Sequence, residues 1–511
     1  MRYVLTGEQM REAEAEAVAA GHALGDLMER AGAALAAEAA VRVPEGRIVI
    51  AAGHGNNGGD GWVAGRYLVR AGREVLVVAL RDIADLPVPA DAAARAAIEA
   101  GVPYRVASSD ADLVLAFADA AMIVDALLGI GSRGEPRPPY ADAIAAINDA
   151  GAVVMAADLP SGVDADTGGV PGIAVVASAT VTFSALKPGL LLQPGASCAG
   201  EIVVADIGLP PAAPAPGGSL EAWGWEEYAD LLPLPGPLVH KHSRGSVLIV
   251  GGAPGMTGAV CLAADGALRC GAGHVTVAVP APSLGVVEVK LTAPVKLAIP
   301  AGPDGDLSRS AADAILAAAD RCDAVVIGPG LGRSASTAEA VMELLERLTL
   351  PVVLDADALW ALGENGLDAV GRRGAPTVLT PHAGEAGRLL GLEGDAIDAD
   401  RPSAVRALAA CGAVAVLKGP ATLIAGSGRV VVNPTGGPSL ATLGTGDVLA
   451  GMIGALLAQG LPPLEACALA AYLHGAAGDA AASDLTPVCC TAEDVVAYLP
   501  EAVRPLLERR T

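Results

Sequence analysis

The strongest constraint on the fold is a recurring pattern in which a short apolar segment runs into a glycine-rich loop and then into a helix-forming segment. Residues 47–52 (RIVIAA) lead into GHGNNGGDGW and a helical pattern, and residues 74–80 supply the next strand. A strand, a glycine loop, a helix and a further strand form a βαβ unit, the usual beginning of a doubly wound parallel sheet. Further strands are predicted at 121–125, 152–158, 179–184 and 201–206. The chain is therefore predicted to belong to the α/β class.

A segment rich in proline and glycine interrupts this pattern near the middle of the chain. It contains PPAAPAPGG and PLPGP around a short acidic stretch, and such clustering disfavours regular sheet or helix pairing. With 511 residues, the chain is also too long for one ordinary core. We therefore predict a first domain at 1–210, a linker at 211–237 and a second α/β domain at 238–511. In the second domain strands are predicted at 246–250, 274–279, 324–327, 352–355 and 377–380, with a helix from Thr257.

Composition limits the partners that the chain can have. The 33 Lys and Arg residues against 57 Asp and Glu give a net charge of −24, so no positive face is expected for nucleic acid. The N-terminus lacks the apolar core of a signal peptide, and the long uncharged runs are broken by glycine and proline, which argues against membrane spans. Eight scattered cysteines show neither zinc spacing nor a disulfide framework. A reducing cytoplasm is therefore the expected location.

The stretch NPTGGPSLATLGTGDVLAG, residues 433–451, predicts an anion site in the second domain. Its GTGD motif stands where a loop enters a helix made of small and apolar residues. Free N–H groups and the positive end of the helix dipole converge there, and glycines let an oxyanion approach the backbone. Asp447 has two interpretations. It either caps the helix, or it takes a proton from a hydroxyl that reacts at a nearby phosphorus atom.

Three loops of the first domain are predicted to meet at the carboxyl edge of the sheet. NNGGDG follows the first strand, DALLGIGSRGE begins at Asp125, and DLPSGVD begins at Asp158. Amide, carboxylate and hydroxyl side chains in these loops suit a polar ligand together with a hard cation. The alternative is that these asparagines and aspartates only stabilise turns.

The first domain resembles a known family on several of these segments. LMERAG, GHGNNGGDG, VDALLGIGSRGE and ADLPSGVDADTG, followed by Lys187-Pro188-Gly189, are similar to the YjeF N-terminal domain, the NAD(P)H-hydrate epimerase family, over about residues 1–210. The resemblance implies a Rossmann-like sheet and a potassium ion held by Asn57, Asp125 and Ser161. Asp158 is our candidate for proton movement. The residues that the resemblance implies for hydrate binding are Asn56, Asn57, Gly58, Gly59, Asp60, Gly129, Ile130, Gly131, Ser132, Arg133, Gly134, Glu135 and Asp158.

The second domain resembles the ADP/ATP-dependent NAD(P)H-hydrate dehydratase family of the ribokinase-like superfamily. The similar segments are SVLIVGGAPGMTGAV, VIGPGLG, LDADAL, LTPHAGE, LKGPATLI and the GTGD stretch. The chain departs from the family at Gly437 and Leu443, where asparagine and glycine are usual. The resemblance places the hydrate at Ala259, Gly332, His382 and Asp447. It places the nucleotide at Lys418, Gly419, Pro420, Ala421, Thr422 and Gly446.

Two of these residues also have ordinary structural explanations. His382 follows a proline at a strand end and could be a satisfied loop residue. Lys418 could be a solvated charge, although it stands between an apolar strand and a Gly-Pro turn that can direct donors at phosphate oxygens.

The resemblance implies a bifunctional repair enzyme for NAD(P)H-hydrate. One domain interconverts the R and S forms, and the other dehydrates the S form at the expense of ADP. The spacing does not separate ADP from ATP, and magnesium is allowed as a further cation. No Walker A motif is present.

Two alternatives remain open from the sequence. The second domain could be a ribokinase-like small-molecule kinase, and the first could be a non-catalytic binding module. The sequence is silent on oligomeric state, and a homo-oligomer is our expectation.

Overall fold

The computed structural model describes residues 2–209, 220–363 and 366–510. The chain divides into two compact units, Arg2–Leu220 and Glu221–Thr511. Each unit is built on a sheet of mainly parallel strands with helices packed on it, so the predicted α/β class is confirmed.

The N-terminal unit alternates strands and helices, as the sequence pattern predicts. Its strands are β1 (Arg2–Val4), β2 (Ile48–Ala52), β3 (Val75–Ala79), β4 (Tyr104–Val106), β5 (Met122–Ala126), β6 (Val153–Ala157), β7 (Ala179–Phe183) and β8 (Glu201–Ala205). Its helices are α1 (Gly7–Ala19), α2 (Leu24–Arg42), α3 (Asn56–Arg70), α4 (Ala90–Glu99), α5 (Asp110–Phe117), α6 (Tyr140–Asp149), α7 (Pro188–Leu191) and α8 (Gly195–Ala199).

The strand order of this unit creates a crevice at one edge of its sheet. Seven of these strands, β2 to β8, follow the order β4-β3-β2-β5-β6-β7-β8 and pair in parallel. The chain moves outward in one direction from β2 to β4 and in the other from β5 to β8. The loops that leave β2 and β5 therefore diverge at a switch point, where sheets of this kind bind ligands.

Residues 56–61 were predicted as a glycine loop, but they form the first turns of α3. A Cβ atom on Gly58 would lie 2.0 Å from the carbonyl oxygen of Gly53. The glycine thus allows the helix to approach the end of β2 closely, rather than allowing a turn. A cluster of glycines in a sequence predicts a loop, because the sequence does not show which residues pack against them.

The C-terminal unit contains a longer mixed sheet. Its strands are β9 (Leu220–Ala222), β10 (Ser246–Val250), β11 (His274–Pro280), β12 (Val295–Ile299), β13 (Ala324–Ile327), β14 (Val352–Leu354), β15 (Thr377–Leu379), β16 (Val414–Leu417), β17 (Leu423–Gly426) and β18 (Arg429–Val432). They follow the order β9-β18-β17-β16-β15-β14-β13-β10-β11-β12. From β16 to β12 the pairing is parallel, whereas β17 pairs antiparallel with both β16 and β18.

Helices of this unit bury a core of small and branched side chains. They are α9 (Trp225–Leu231), α10 (Thr257–Arg269), α11 (Leu284–Lys290), α12 (Ala312–Ala319), α13 (Ala335–Arg347), α14 (Asp357–Ala361), α15 (Gly366–Gly371), α16 (Ala383–Leu390), α17 (Gly394–Ala399), α18 (Arg401–Ala409), α19 (Thr445–Ala458), α20 (Pro463–Leu485) and α21 (Ala492–Arg510). A Cβ atom on Gly451 of α19 would lie 1.9 Å from the Ala263 carbonyl oxygen of α10. This close contact explains how a core with few aromatic residues is filled.

The structure corrects part of the predicted linker at 211–237. Strand β9 and helix α9 lie within it, while residues 210–219 lie outside the described residues. Tyr228 of α9 is buried and stacks on Tyr472 with 4.0 Å between ring centroids. The acidic stretch between the two proline clusters therefore belongs to the second unit, because its aromatic residues pack into that core.

Two expectations from composition concern the described residues. In 2–209, 220–363 and 366–510, no helix is long and apolar enough to span a membrane. All eight cysteines are free thiols.

Candidate functional site

The first candidate site is a pocket at the carboxyl edge of the N-terminal sheet. Asn56 and Asp60 of α3 line it. Asp158, which follows β6, lines it as well, together with Glu14 of α1 and apolar side chains such as Met28. The structure thus brings together three residues that the sequence predicted for ligand binding.

A buried ion pair holds Asp158 in place. Lys187 Nζ donates to Asp158 Oδ1, to Thr182 Oγ1 at 2.9 Å and to the Phe183 carbonyl oxygen at 3.0 Å. The Lys187 side chain is fully buried, where an ammonium group is stable only with an accompanying carboxylate. Asp158 also has a φ of 64°, which residues other than glycine rarely adopt and which the surrounding structure must enforce. The carboxylate is therefore fixed at the strand end beside a cation.

Two further carboxyl groups face this pocket without an ion pair in the described part of the chain. Asp60 is 8% exposed, and its side chain makes no hydrogen bond to any described residue. Burial raises the pKa of Asp60 well above its ordinary value, and the charges of Asp158 and Glu14 raise it further. Burial and Asp158 also raise the pKa of Glu14, while Lys187 and Arg11 lower it. The pocket therefore favours protonated carboxyl groups close to Asp158.

The three predicted potassium ligands lie around the peptide of Leu128. Ser161 donates to the buried Asp125 carboxylate through its N–H at 2.8 Å and its hydroxyl at 2.6 Å. Burial raises the pKa of Asp125 to about 6, although the hydrogen bonds from Ser161 and Leu127 lower it. Asn57 Nδ2 donates to the Leu128 carbonyl oxygen at 2.9 Å, and the N–H of Leu128 donates to Ser161 Oγ at 2.9 Å. The predicted grouping of these side chains agrees with their positions.

One atom of this group is available for a cation. Asn57 Oδ1 is buried and has no hydrogen-bond partner. An unpaired amide oxygen beside a carboxylate and a hydroxyl is suitable donor chemistry for a hard or large monovalent cation. No cluster of three or more His, Cys, Asp or Glu side chains in the described residues is placed to hold a metal ion.

The predicted binding loop at 129–135 adjoins the predicted cation ligands and does not line the pocket. A Cβ atom on Gly129 would lie 3.3 Å from Cβ of Asn57, so the start of the loop adjoins the cation ligands. Arg133 instead forms an ion pair with Asp164 at 3.0 Å and another with Asp166. Residues 130–135 are not among those that line the pocket.

Glu14 and Lys187 were not predicted as functional side chains. Glu14 neighbours Met10, Ala13 and Ala17, which form the buried face of α1. An acidic residue next to an apolar helix face is a sequence pattern that could have indicated a functional side chain. The burial of Lys187 depends on Asp158, which lies 29 residues away in the sequence. No local pattern could have indicated it.

The second candidate site lies at the N-terminus of α19. Gly444 caps the helix with a φ of 98°, in the left-handed region that favours glycine. Thr445 Oγ1 donates to the carbonyl oxygens of Leu440 at 2.9 Å and Thr442 at 3.0 Å. The Nε2 atom of the buried His474 contacts the Thr445 carbonyl oxygen at 2.9 Å. These contacts fix a first turn whose free N–H groups can receive an anion.

Asp447 lies in this turn, and its charge is sensitive to the residues around it. Burial raises the pKa of Asp447 to about 7, with Asp355 and Asp357 raising it and Lys418 lowering it. Lys418 Nζ pairs with Asp355 Oδ1 at 2.8 Å. A Cβ atom on Gly446 would lie 3.2 Å from the same Nζ. Asp447 can therefore accept and release a proton near neutral pH, with an ammonium group next to the helix end.

Lys418 remains charged in this setting. Burial lowers the pKa of Lys418, but the neighbouring Asp355 and Glu385 carboxylates outweigh that effect and raise it overall. Thr380 Oγ1 also donates to Asp355 Oδ1 at 2.7 Å, which orients the carboxylate. The interpretation of Lys418 as a solvated surface charge is therefore wrong.

The turn at 418–422 has the strained backbone expected of a ligand cradle. Gly419 has a φ of 138° and Ala421 a φ of 54°. The buried Arg401 of α18 donates to the carbonyl oxygens of Leu417 at 3.0 Å and Lys418 at 3.2 Å. Arg401 was not predicted as a functional residue. Its two hydrogen bonds to the backbone stabilise the start of the turn.

His382 is the N-cap of α16. Its Nδ1 accepts from the N–H groups of Gly384 at 3.0 Å and Glu385 at 3.3 Å, while Glu385 accepts from the N–H of His382 at 2.9 Å. The structural explanation for His382 is thus present. The His382 side chain is also 60% exposed, and its Nε2 lies 3.5 Å from Glu385 Oε1.

Ala259 and Gly332 adjoin the loop that follows β13. A Cβ atom on Gly330 would lie 3.5 Å from Cβ of Ala259, and one on Gly332 would lie 2.8 Å from Cβ of Asp306. Gly332 donates its N–H to Asp357 at 3.0 Å. Asp306 Oδ1 is buried without a hydrogen-bond partner, so an unsatisfied acceptor lies next to the predicted ligand residues.

Fold and sites together define a class of two-domain α/β protein, with a carboxylate-lined pocket in a doubly wound domain and a helix-end anion site in a second domain. The family described as NAD(P)H-hydrate dehydratase matches residues 247–501, and the family described as YjeF-related protein N-terminus matches residues 24–189.

Comparisons with known proteins identify the family. A bifunctional NAD(P)H-hydrate repair enzyme Nnr from Moorella thermoacetica is 42% identical, covering 91% of this chain and 89% of that protein. The protein of the same description from Coxiella burnetii is 38% identical over 99% of this chain and 100% of its own. An ADP/ATP-dependent NAD(P)H-hydrate dehydratase structure from Bacillus subtilis is 29% identical with a TM-score of 0.48, covering 56% of this chain and 99% of that one. The chain belongs to the family of bifunctional NAD(P)H-hydrate repair enzymes.

Proposed function

We propose that this chain interconverts the R and S forms of NAD(P)H-hydrate and dehydrates the S form to NAD(P)H, converting ADP to AMP and phosphate. Residues 1–210 form the epimerase domain and residues 238–511 the dehydratase domain. Strand β9 and helix α9, from the segment between them, belong with the second domain. Both sequence families and the full-length relatives support this assignment.

The pocket around Asp158 is the proposed epimerisation site. The hydrate carries a hydroxyl on a ring carbon next to nitrogen, so its configuration inverts when that hydroxyl leaves and water returns on the other face. Asp158 removes the proton from the incoming water, and the ion pair with Lys187 positions it. Asn56, Asp60 and Gly129 contact the hydrate. Because residues 130–135 do not line the pocket, we assign them to the distal part of the dinucleotide.

Potassium is the proposed cation of this domain, held by Asn57, Asp125 and Ser161. Its support is the unpaired Oδ1 of Asn57, which needs a partner in a buried place. When bound, the ion would offset the buried charge of Asp125 and fix the loop after β5. Replacing potassium by lithium should weaken epimerisation, and the Asn57→Leu variant should lose that dependence.

The helix-end site is the proposed dehydration site. Hydroxide is a poor leaving group, so the ring hydroxyl first receives a phosphoryl group. The ring nitrogen then expels phosphate, and the neighbouring ring carbon loses a proton to water, which restores the double bond. Asp447 takes the hydroxyl proton, while the first turn of α19 stabilises charge on the phosphoryl oxygens. Residues 418–422 and Gly446 hold the nucleotide. Ala259, Gly332 and His382 position the hydrate.

The observation that carries this proposal is the juxtaposition of Asp447, whose pKa is raised to about 7, with a free helix end and the charged Lys418. The test is to add S-NADHX and ADP and to follow the return of dihydronicotinamide absorbance, with AMP and phosphate measured alongside. We expect one NADH for each ADP consumed. A stable phosphorylated alcohol without NADH would instead identify a ribokinase-like kinase.

The assay also decides which nucleotide is used. Running it with ATP in place of ADP compares the two directly, and adding or chelating magnesium tests the prediction of that cation. A homo-oligomer and a cytoplasmic location also stay predictions. The free thiols in the structure are compatible with a reducing compartment.

A further inference from the structure

Glu14 lines the epimerisation pocket together with Asp60 and Asp158, and the proposed reaction gives it no role. Its position is built into the fold. Helix α1 begins with a capping box between Thr6 and Gln9, and the N–H of Gly7 donates to Asp166 at 2.6 Å. These contacts anchor the helix, so Glu14 enters the pocket from a fixed element.

The ion pairing in this pocket is asymmetric. Lys187 directs all its hydrogen bonds to Asp158, Thr182 and Phe183, and none goes to Glu14 or Asp60. Asp60 is more than nine-tenths buried and has no hydrogen-bond partner among the described residues. Because buried polar groups are normally hydrogen-bonded, we expect a bound ligand to supply that partner. The charged and titratable groups that act on Glu14 are Asp158, Lys187, Arg11 and Asp60. One carboxylate thus has a cation, and two carboxyl groups do not.

Epimerisation at a carbon that bears both nitrogen and a hydroxyl needs an acid as well as a base. The hydroxyl takes a proton and leaves as water when the C–O bond breaks, and the nitrogen lone pair forms an iminium ion. Water then adds to the opposite face, the C–O bond forms again, and the surplus proton goes to a base. No oxidant or reductant is required, because the electron pair returns to nitrogen.

Resting on the proposed epimerase function, we propose that Glu14 is a further catalytic residue: it protonates the departing ring hydroxyl, while Asp158, held by Lys187, receives the proton of the incoming water. Glu14 is on α1 and Asp158 is at the end of β6. Because they come from different elements, they can contact opposite faces of a substrate ring that lies between them. Asp60 lines the same pocket, and its charge is coupled to both Glu14 and Asp158. Burial raises the pKa of both Glu14 and Asp60, which favours the protonated form that a donor needs.

The test compares Glu14→Gln with Glu12→Gln in the full-length protein. Glu12 is on the same helix but exposed. R-NADHX is supplied, and its conversion to the S form is followed by chiral chromatography without ADP. We expect Glu14→Gln to lower kcat of epimerisation by about 10²–10⁴-fold with little change in KM, and Glu12→Gln to have no effect. Glu14→Asp should recover part of the rate. The wild type should lose activity at high pH as Glu14 gives up its proton, and Glu14→Gln should lack that loss.

Urea denaturation followed by circular dichroism reports whether each variant is folded, because dehydration of S-NADHX depends on the other unit. If the wild type does not epimerise R-NADHX, the proposed function of the domain is wrong. If the wild type does so and Glu14→Gln retains its rate and pH profile, the function stands and the role of Glu14 is overturned. A change in KM alone would also overturn it, because it would show a binding contact rather than proton donation.

Discussion

The two candidate sites each combine a reactive aspartate with a buried lysine, but they connect the two differently. In the N-terminal pocket Lys187 pairs directly with Asp158, at a strand end with a strained backbone. In the C-terminal site Lys418 pairs with Asp355, and Asp447 lies beside that pair in the first turn of a helix. Direct pairing fixes the position of the Asp158 carboxylate beside a cation. Indirect pairing leaves Asp447 with a pKa raised to about 7, so it can change its charge during a reaction.

The difference suits the two proposed reactions. Phosphoryl transfer needs a base that binds a hydroxyl proton and tolerates an incoming anion. A neutral or half-protonated Asp447 repels a phosphate less than a full carboxylate would, and Lys418 remains to attract it. Inversion at a ring carbon involves no such anion. An acceptor positioned by Lys187, with separate protonated donors, can therefore serve the first domain.

The largest expected effect separates the two sites by activity. Asp447→Asn cannot take the hydroxyl proton, so dehydration of S-NADHX should fall by about 10²–10⁴-fold in kcat while epimerisation is unchanged. The measurement is the return of dihydronicotinamide absorbance with ADP in excess. Epimerisation in the same sample is the internal control. If Asp447→Asn keeps more than half of the wild-type rate, Asp447 is not the base of the reaction.

The second prediction concerns the direct pair. Lys187→Met leaves Asp158 partly buried without its cation, so the free energy of unfolding should fall by about 3–5 kcal/mol. The double variant Lys187→Met with Asp158→Asn should recover most of this stability but none of the epimerase activity. Urea denaturation followed by circular dichroism measures both.

A surface pair provides the matched control for that experiment. Arg133 is 47% exposed where it pairs with Asp164, so Arg133→Met should cost only about 0–1 kcal/mol. Equal losses for Lys187→Met and Arg133→Met would mean that burial of the lysine has no energetic consequence, and the comparison between the two sites would lose its basis.

The third prediction concerns the pH dependence of dehydration, which follows from the position of Asp447 beside the Lys418–Asp355 pair. Asp447 must be ionised to act as a base, so kcat/KM for dehydration should fall about tenfold per pH unit below pH 7. The residual activity of Asp447→Asn should lack this limb. A profile that stays flat down to pH 5 in the wild type would contradict a base with a pKa near 7.

The same raised pKa has a consequence for stability. The unfolded chain loses the Asp447 proton near pH 3.8, whereas the folded protein keeps it to about pH 7. The folded state therefore binds more protons in this window, and its stability should decline as the pH rises from about 4 to 7. Asp447→Asn should not show that part of the decline. Thermal denaturation at several pH values measures the difference.

The sequence predicted those parts of the sites that depend on local patterns. Asp125 and Asp158 were expected at strand ends, because apolar strands followed by a polar residue are readable, and the anion site was expected where glycines precede the helix α19. Lys187 and Arg401 were missed, because their roles arise only when distant elements pack. Glu14 was missed although its place beside the apolar face of α1 indicated it. The start of α3 at Asn56 was also missed, since a glycine that permits close packing looks the same in a sequence as one that permits a turn.

The smallest expected effect concerns Leu443, where the chain departs from the family in the loop before α19. Its side chain is 98% exposed, so Leu443→Gly should change kcat/KM for ADP by less than about twofold and stability by less than about 1 kcal/mol. Leu238→Gly, at a position that is 92% exposed and outside the site, is the control. A tenfold loss confined to Leu443→Gly would mean that this side chain covers the bound nucleotide. The anion site would then be closed by an apolar contact as well as by Lys418, a feature without a counterpart around Asp158.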